Sequence, residues 1–135
     1  MAELKICLRA GEKIYINGAV IRASGKITFS ILNDATFLLE SHILQAEEAT
    51  TPFKQLYFII QTMLMSPKEA ETVREVFEDH CAKLQRMIES EVLRAGLAEA
   101  KSLIDRNKPF VALKVVRNLF AAEEDILGSK HATAA

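Results

Sequence analysis

Two hydrophobic periods divide this chain. Up to about residue 40 the apolar positions alternate with polar ones; from about residue 51 they recur every three or four residues. Leu4-Lys5-Ile6-Cys7-Leu8-Arg9 alternates strictly, which puts Leu4, Ile6 and Leu8 on one face of a strand and Lys5, Cys7 and Arg9 on the other. Ala10-Gly11-Glu12 reads as a turn. Lys13-Ile14-Tyr15-Ile16 alternates again, with Ile14 and Ile16 expected inward and Lys13 and Tyr15 outward. Asn17-Gly18 is a strong hairpin signal, because a type I′ turn needs positive φ at both central residues. Residues 19–23, 27–32 and 36–40 supply three further strands, separated by Ser24-Gly25-Lys26 and Asn33-Asp34.

The polar stretch 45–50 reads as a linker. Thr51-Pro52 then opens a helix, threonine as cap and proline in the first turn, with Phe53, Leu56, Ile59, Ile60, Met63 and Leu64 at helical spacing. A strand over 57–60 is the competing reading; cap and period together favour the helix. Ser66-Pro67-Lys68-Glu69 marks a second start with a capping box, followed by a stripe of Val73, Phe77, His80, Leu84, Met87 and Ile88. Ser90 caps a third helix carrying Leu93, Leu97, Ala100 and Ile104. A last helix begins at Pro109, buries Phe110, Leu113, Val116, Phe120 and Leu127, and stops at Gly128. The fold class predicted is α+β: a small N-terminal antiparallel β-sheet or barrel of about five strands, then a bundle of three to four helices. The domains predicted are a β module over 1–50, a helical module over 51–128 and a flexible tail over 129–135.

Composition narrows the function classes. With 135 residues, half of them apolar and 26% charged, the chain has the make-up of a soluble globule. Residues 1–10 lack the continuous apolar core of an export signal, and the longest apolar-rich run, 56–65, is broken by Gln61 and Thr62 and is too short for a bilayer span. The expected location is the cytoplasm, with no membrane partner. Cys7 and Cys81 have neither metal nor redox spacing and are read as two free thiols.

No catalytic constellation emerges. The histidines are His42, His80 and His131. His80 falls on an apolar stripe, where a packed histidine is the ordinary case, and its neighbour Cys81 points elsewhere on the helix. There is no zinc spacing and no glycine-rich phosphate loop, so no cofactor, no metal and no enzyme is expected. Glu47-Glu48 and Glu123-Glu124-Asp125 read as solvated faces, the second also as a possible interaction surface. The charge bias sits at the start. Residues 1–30 carry five cations against two acids, a local excess of +3 in a chain whose net charge is −1. Lys5, Arg9, Lys13 and Tyr15 are expected on one sheet face, with Arg22 and Lys26 extending the patch. Cations for phosphates beside a ring for an unpaired base suit single-stranded RNA. Outward lysines and arginines also simply keep a small sheet soluble and protect its edges.

The run 4–21, LKICLRAGEKIYINGAVI, resembles the start of the FlbT family of flagellar regulators of alphaproteobacteria: a strand, a Pro-Gly-Glu-like turn and an Asn-Gly-Ala-Val hairpin. The segment 43–52, ending Ala49-Thr50-Thr51-Pro52, resembles a second block of that family, as do Tyr57-Phe58 with 61–65 and, more loosely, Ala112-Leu113 with 116–119. The likeness spans about 4–127; Ala10 stands where many members have proline. It implies post-transcriptional regulation of flagellin through the 5′ untranslated leader of its messenger RNA, with a FlaF-type regulator as functional partner. The first fifty residues also resemble, less closely, the carbon storage regulator family of small dimeric RNA-binding proteins, through Gly11-Glu12 and 36–43. Glu40 or Ser41 stands where that family has an RNA-contacting arginine. The readings carried forward are an RNA-leader-binding regulator and, as the alternative, a protein-binding adaptor acting through the helical half. Self-association through unpaired strand edges is also expected.

Overall fold

The structure, a computed structural model, describes residues 4–134, with side chains through residue 127. It comprises two compact units, Met1–Ile43 and Leu44–Ala135.

The first unit holds β1 (Leu4–Leu8), β2 (Lys13–Ile16), β3 (Ala19–Arg22), β4 (Ile27–Ile31) and β5 (Phe37–Leu39). Alternation predicts these strands within a residue or two at each end. The β2–β3 turn is of the expected type, with φ of 45° at Asn17 and 94° at Gly18. Asn17 does more than turn the chain: its N–H donates to the Thr36 carbonyl, and its Oδ1 accepts from the Thr36 N–H at 2.9 Å, fastening the hairpin to the approach to β5.

Strand pairing departs from chain order. β1 pairs with β4 alone, in the register Leu4↔Ile31 to Leu8↔Ile27. β2 is the centre of a second sheet, β3-β2-β5. The two sheets share one core, in which Ile6, Leu8, Ile14 and Ala23 are buried and Ile16, Phe29, Ile31, Phe37 and Leu39 pack against them. The unit is therefore a small sandwich and not a single sheet. Its inner faces are the apolar phases of β1 and β2, as read from the sequence.

The second unit is helical: α1 (Pro52–Met65), α2 (Ala70–Met87), α3 (Glu91–Asp105), α4 (Pro109–Arg117) and α5 (Phe120–Ala134). α1 packs between α2 and α4, and α4 between α1 and α3. The Thr51 hydroxyl accepts from the Lys54 N–H, and the Ser90 hydroxyl from the Leu93 N–H, so both of these starts are built as the sequence predicts. Ser66 differs. Its N–H closes α1 on the Thr62 carbonyl at 2.9 Å, its side chain caps nothing, and 67–69 form a 3-10 turn ahead of α2. With φ of −128° and ψ of 71°, Ser66 lies outside the extended geometry in which an N-cap side chain reaches back to the first turn.

The segment 45–50 belongs to this unit and is itself ordered. Gln45 and Glu48 form a reciprocal capping box around a 3-10 turn. Gln61, which breaks the apolar run of α1, is buried and meets both backbone groups of Leu44: its Oε1 accepts from the Leu44 N–H at 2.8 Å and its Nε2 donates to the Leu44 carbonyl at 2.9 Å.

The last helix predicted from the sequence is divided. At Asn118-Leu119 the chain tightens, the Leu119 N–H bonding to the Val116 carbonyl at 3.0 Å, and α5 sets off anew. The break delivers Leu119 to Gly96 of α3, where a Cβ would lie 2.3 Å from Leu119 Cδ1. Gly96→Ala should therefore destabilise despite the better helix propensity of alanine. Overpacking costs about 1–3 kcal/mol, against a propensity gain of at most about 1. In urea unfolding, Leu119→Ala should cost less in the Gly96→Ala background than alone; additive effects would refute the contact. α5 runs through Gly128, the expected stop, to Ala134.

Candidate functional site

The sandwich separates the cations that the sequence groups on one face. Lys5 lies on the outer face of the β1–β4 sheet, opposite Ser30. Lys13 lies on the outer face of the other sheet, directly opposite Arg22. Because the inner faces of both sheets meet in the shared core, Lys5 and Lys13 project from opposite sides of the unit. A single basic face over β1 and β2 does not exist, since those strands do not pair.

What does form is a cluster at one end. The Gly11 N–H donates to the Ala23 carbonyl at 2.7 Å, and the Ala23 N–H to the Glu12 carbonyl at 2.9 Å, so the β1–β2 turn is clamped to the end of β3. Leu8 pairs with Ile27, so the adjoining residues Arg9 and Lys26 leave their strands at this same end. Arg9, Lys13, Arg22 and Lys26 are thus collected where two turns meet. Like charges directly opposite in a ladder, as Lys13 and Arg22 are, disfavour folding. Two carboxylates are present, both engaged by backbone: Glu12 accepts from the Arg9 N–H at 2.9 Å and Glu40 from the Lys13 N–H at 3.1 Å. Among the described residues no ion pair involves any of the four cations.

Tyr15 corrects a second expectation. Alternation predicts it outward, as a platform for a base, but it is 4% exposed. In the ladder it sits opposite Leu38, itself buried, so the centre of the three-stranded sheet buries both of its faces. Its ring is not available for stacking. Outer-face position and exposure coincide only where that face is open, as at Val20, which is 61% exposed.

The other candidate residues resolve into structural roles. His80 Nε2 lies 2.9 Å from the Pro52 carbonyl oxygen and ties α2 to the start of α1. Burial, with a smaller contribution from Glu78 and partial opposition from Lys101, pushes the Cys81 thiol up to about 12. A thiol reagent at pH 8 should therefore modify exposed Cys7 promptly and Cys81 only in denaturant; rapid labelling of both in the native protein would contradict this placement. The acidic run on α5 is likewise not one solvated face. Glu123 is buried, accepting from the Thr51 hydroxyl and, at 2.9 Å, from the Phe53 N–H at the start of α1. Glu124 pairs with Lys54 at 3.4 Å. The sequence signal for Glu123 was present in the first turn of α5, four residues past Leu119, but needed the helix break to be read.

On the helical unit, Met87 and Val92 are exposed, and Met87 helps to line a mainly apolar pocket of about 220 Å³ with Pro52, Phe53, Leu84, Ile88 and Leu93, to which Glu89, Ser90 and Glu123 add polar groups. Periodicity puts Met87 on the buried stripe, but it is the last residue of α2 and stands exposed. No helix among the described residues is long and apolar enough to cross a membrane.

Comparison with known proteins places this chain among named relatives. Residues 4–127 match the family model described as "Flagellar protein FlbT". The chain is 45% identical over 125 residues to a protein of Chelativorans sp. strain BNC1, covering 93% of this chain and 86% of the relative. It is 42% identical over 132 residues to one of Agrobacterium fabrum, covering 98% and 89%. Both are called "Probable flagellum biosynthesis repressor protein FlbT". A relative in Bradyrhizobium diazoefficiens, numbered FlbT 2, is 45% identical over 124 residues, covering 92% and 91%. No solved structure matches.

Proposed function

Because the chain belongs to the FlbT family of flagellar proteins, we propose that it binds the 5′ untranslated leader of flagellin messenger RNA in the cytoplasm and controls translation or stability of that transcript. The coarser role, a regulator of flagellum biosynthesis, is the one its relatives' names carry. The observation that supports the RNA reading is the end cluster of Arg9, Lys13, Arg22 and Lys26, held together by the turn clamp with Lys13 opposed to Arg22 and no ion pair among described residues. Cations kept close against their mutual repulsion are relieved by a polyanion, and flexible single-stranded RNA can follow a compact cluster of charge. Lys5 and Tyr15 leave the proposed contact set for the reasons of geometry above.

The test is a titration of the intact protein with a labelled flagellin leader transcript at several salt concentrations. Binding that weakens linearly with the logarithm of salt supports the reading. Absence of binding at low salt refutes it.

A second reading has its own support. The exposed Met87 on the wall of this mainly apolar pocket fits a protein-binding adaptor, with a FlaF-type flagellar regulator as the occupant to try. Met87→Asp should abolish capture of a purified FlaF-type protein while leaving leader binding unchanged. Unaltered capture would remove this surface from the account.

A further inference from the structure

The sandwich is open along one side. β3 is an edge strand, paired only with β2, and β4 is paired only with β1. Between β3 and β4 lies a cleft of about 640 Å³ whose apolar lining includes Leu8, Ile16, Ile21 and Ile27, with Phe29 at its inner end. Ile21 is 46% exposed and Ile27 48% exposed, although both belong to the inward phase of their strands. Every residue of β3 is exposed, and Arg22, at its end, is the one charged residue among the four. The lining contains two cations, Arg22 and Lys26, and no carboxylate.

We propose that this cleft receives an extended segment of another protein, apolar at alternate positions and flanked by Asp or Glu, which adds to β3 as a further strand. Three observations choose this occupant. A row of unpaired backbone N–H and C=O groups on an edge strand is matched by another strand and not by a nucleic acid. The apolar part of the lining is aliphatic apart from Phe29, so it suits valine or isoleucine side chains better than a stacked base. Arg22 and Lys26 at the rim would repel the same cations of a second copy and attract carboxylates. The proposal is independent of RNA binding, but it makes the two exclusive at Arg22 and Lys26.

The experiment uses the full chain labelled with ¹⁵N and three probes: the peptide Asp-Glu-Val-Ser-Val-Thr-Val-Asp-Glu, its counterpart with lysine at every acidic position, and oligouridylate. The acidic peptide should shift and protect amides of 19–22 and 27–29 and should bind about fivefold or more tightly than the lysine version. Arg22→Glu with Lys26→Glu should invert that order. No shift in β3 with either peptide overturns the proposal. So does equal binding of the two, or oligouridylate perturbing Ile21, Ile27 and Phe29 in place of the peptide. Concentration-dependent broadening of the same amides in the free protein would assign the edge to a second copy and overturn it equally.

Discussion

Replacing Glu123 by alanine is expected to lower the stability of the helical unit by about 2–4 kcal/mol, among the largest effects of any single polar substitution in this chain. The carboxylate is 4% exposed and answers two donors at the start of α1, the Thr51 hydroxyl and the Phe53 N–H. A hydrogen bond to a charged group contributes about 1.5–3 kcal/mol, and a buried donor left without an acceptor costs about 1–3. The negative charge also faces the positive end of α1, worth up to about 2 kcal/mol where it is partly buried. Against these stands the desolvation of the carboxylate, which alanine removes, so the contributions do not simply add. Glu123→Gln keeps the shape and one acceptor oxygen and should cost about half as much. Helical circular dichroism followed in urea measures both. A loss below about 0.5 kcal/mol for the alanine variant would mean that water reaches Thr51 and Phe53 freely.

Glu123 also shows where sequence reasoning stops. Periodicity assigns a face to each residue of an element and fixes the element's type, so the five strands, the Asn17-Gly18 turn and the Thr51 and Ser90 caps were legible. It does not name the partner of a strand. A single basic face carrying both Lys5 and Lys13 requires β1 and β2 to lie in one sheet. Pairing of β1 with β4 instead put Lys5 and Lys13 on opposite outer faces. Tyr15 failed for the same reason, since polar-phase position does not establish exposure when Leu38 lies alongside in a covered centre. The remaining cluster depended on two backbone bonds at Ala23, which no pattern of side chains encodes. Likewise, the division of the last helix at Asn118-Leu119 follows from the notch at Gly96, a contact between segments more than twenty residues apart. Local rules therefore described the elements well and the site poorly, because the site is made where non-local elements meet.

The split of the basic residues makes a discriminating result available. Changing Arg9, Lys13, Arg22 and Lys26 together to alanine should weaken leader binding several-hundred-fold at about 0.1 M salt, whereas Lys5→Ala should change it by less than about twofold. Each phosphate contact on a single strand contributes about 0.7 to the slope of log affinity against log salt, so loss of four contacts should flatten the slope by about 3. Over the tenfold interval from 1 M to 0.1 M salt that slope corresponds to nearly three decades of affinity, which sets the size of the loss. The fold should survive, because none of the four side chains is in an ion pair among the described residues and removing the Lys13–Arg22 opposition relieves repulsion. Stability of the quadruple variant should accordingly equal or slightly exceed that of the unaltered protein. An unchanged salt slope would take the RNA away from this end of the sandwich. Equal losses for Lys5→Ala and the quadruple variant would show that the transcript responds to overall charge and not to the cluster that the turn clamp builds.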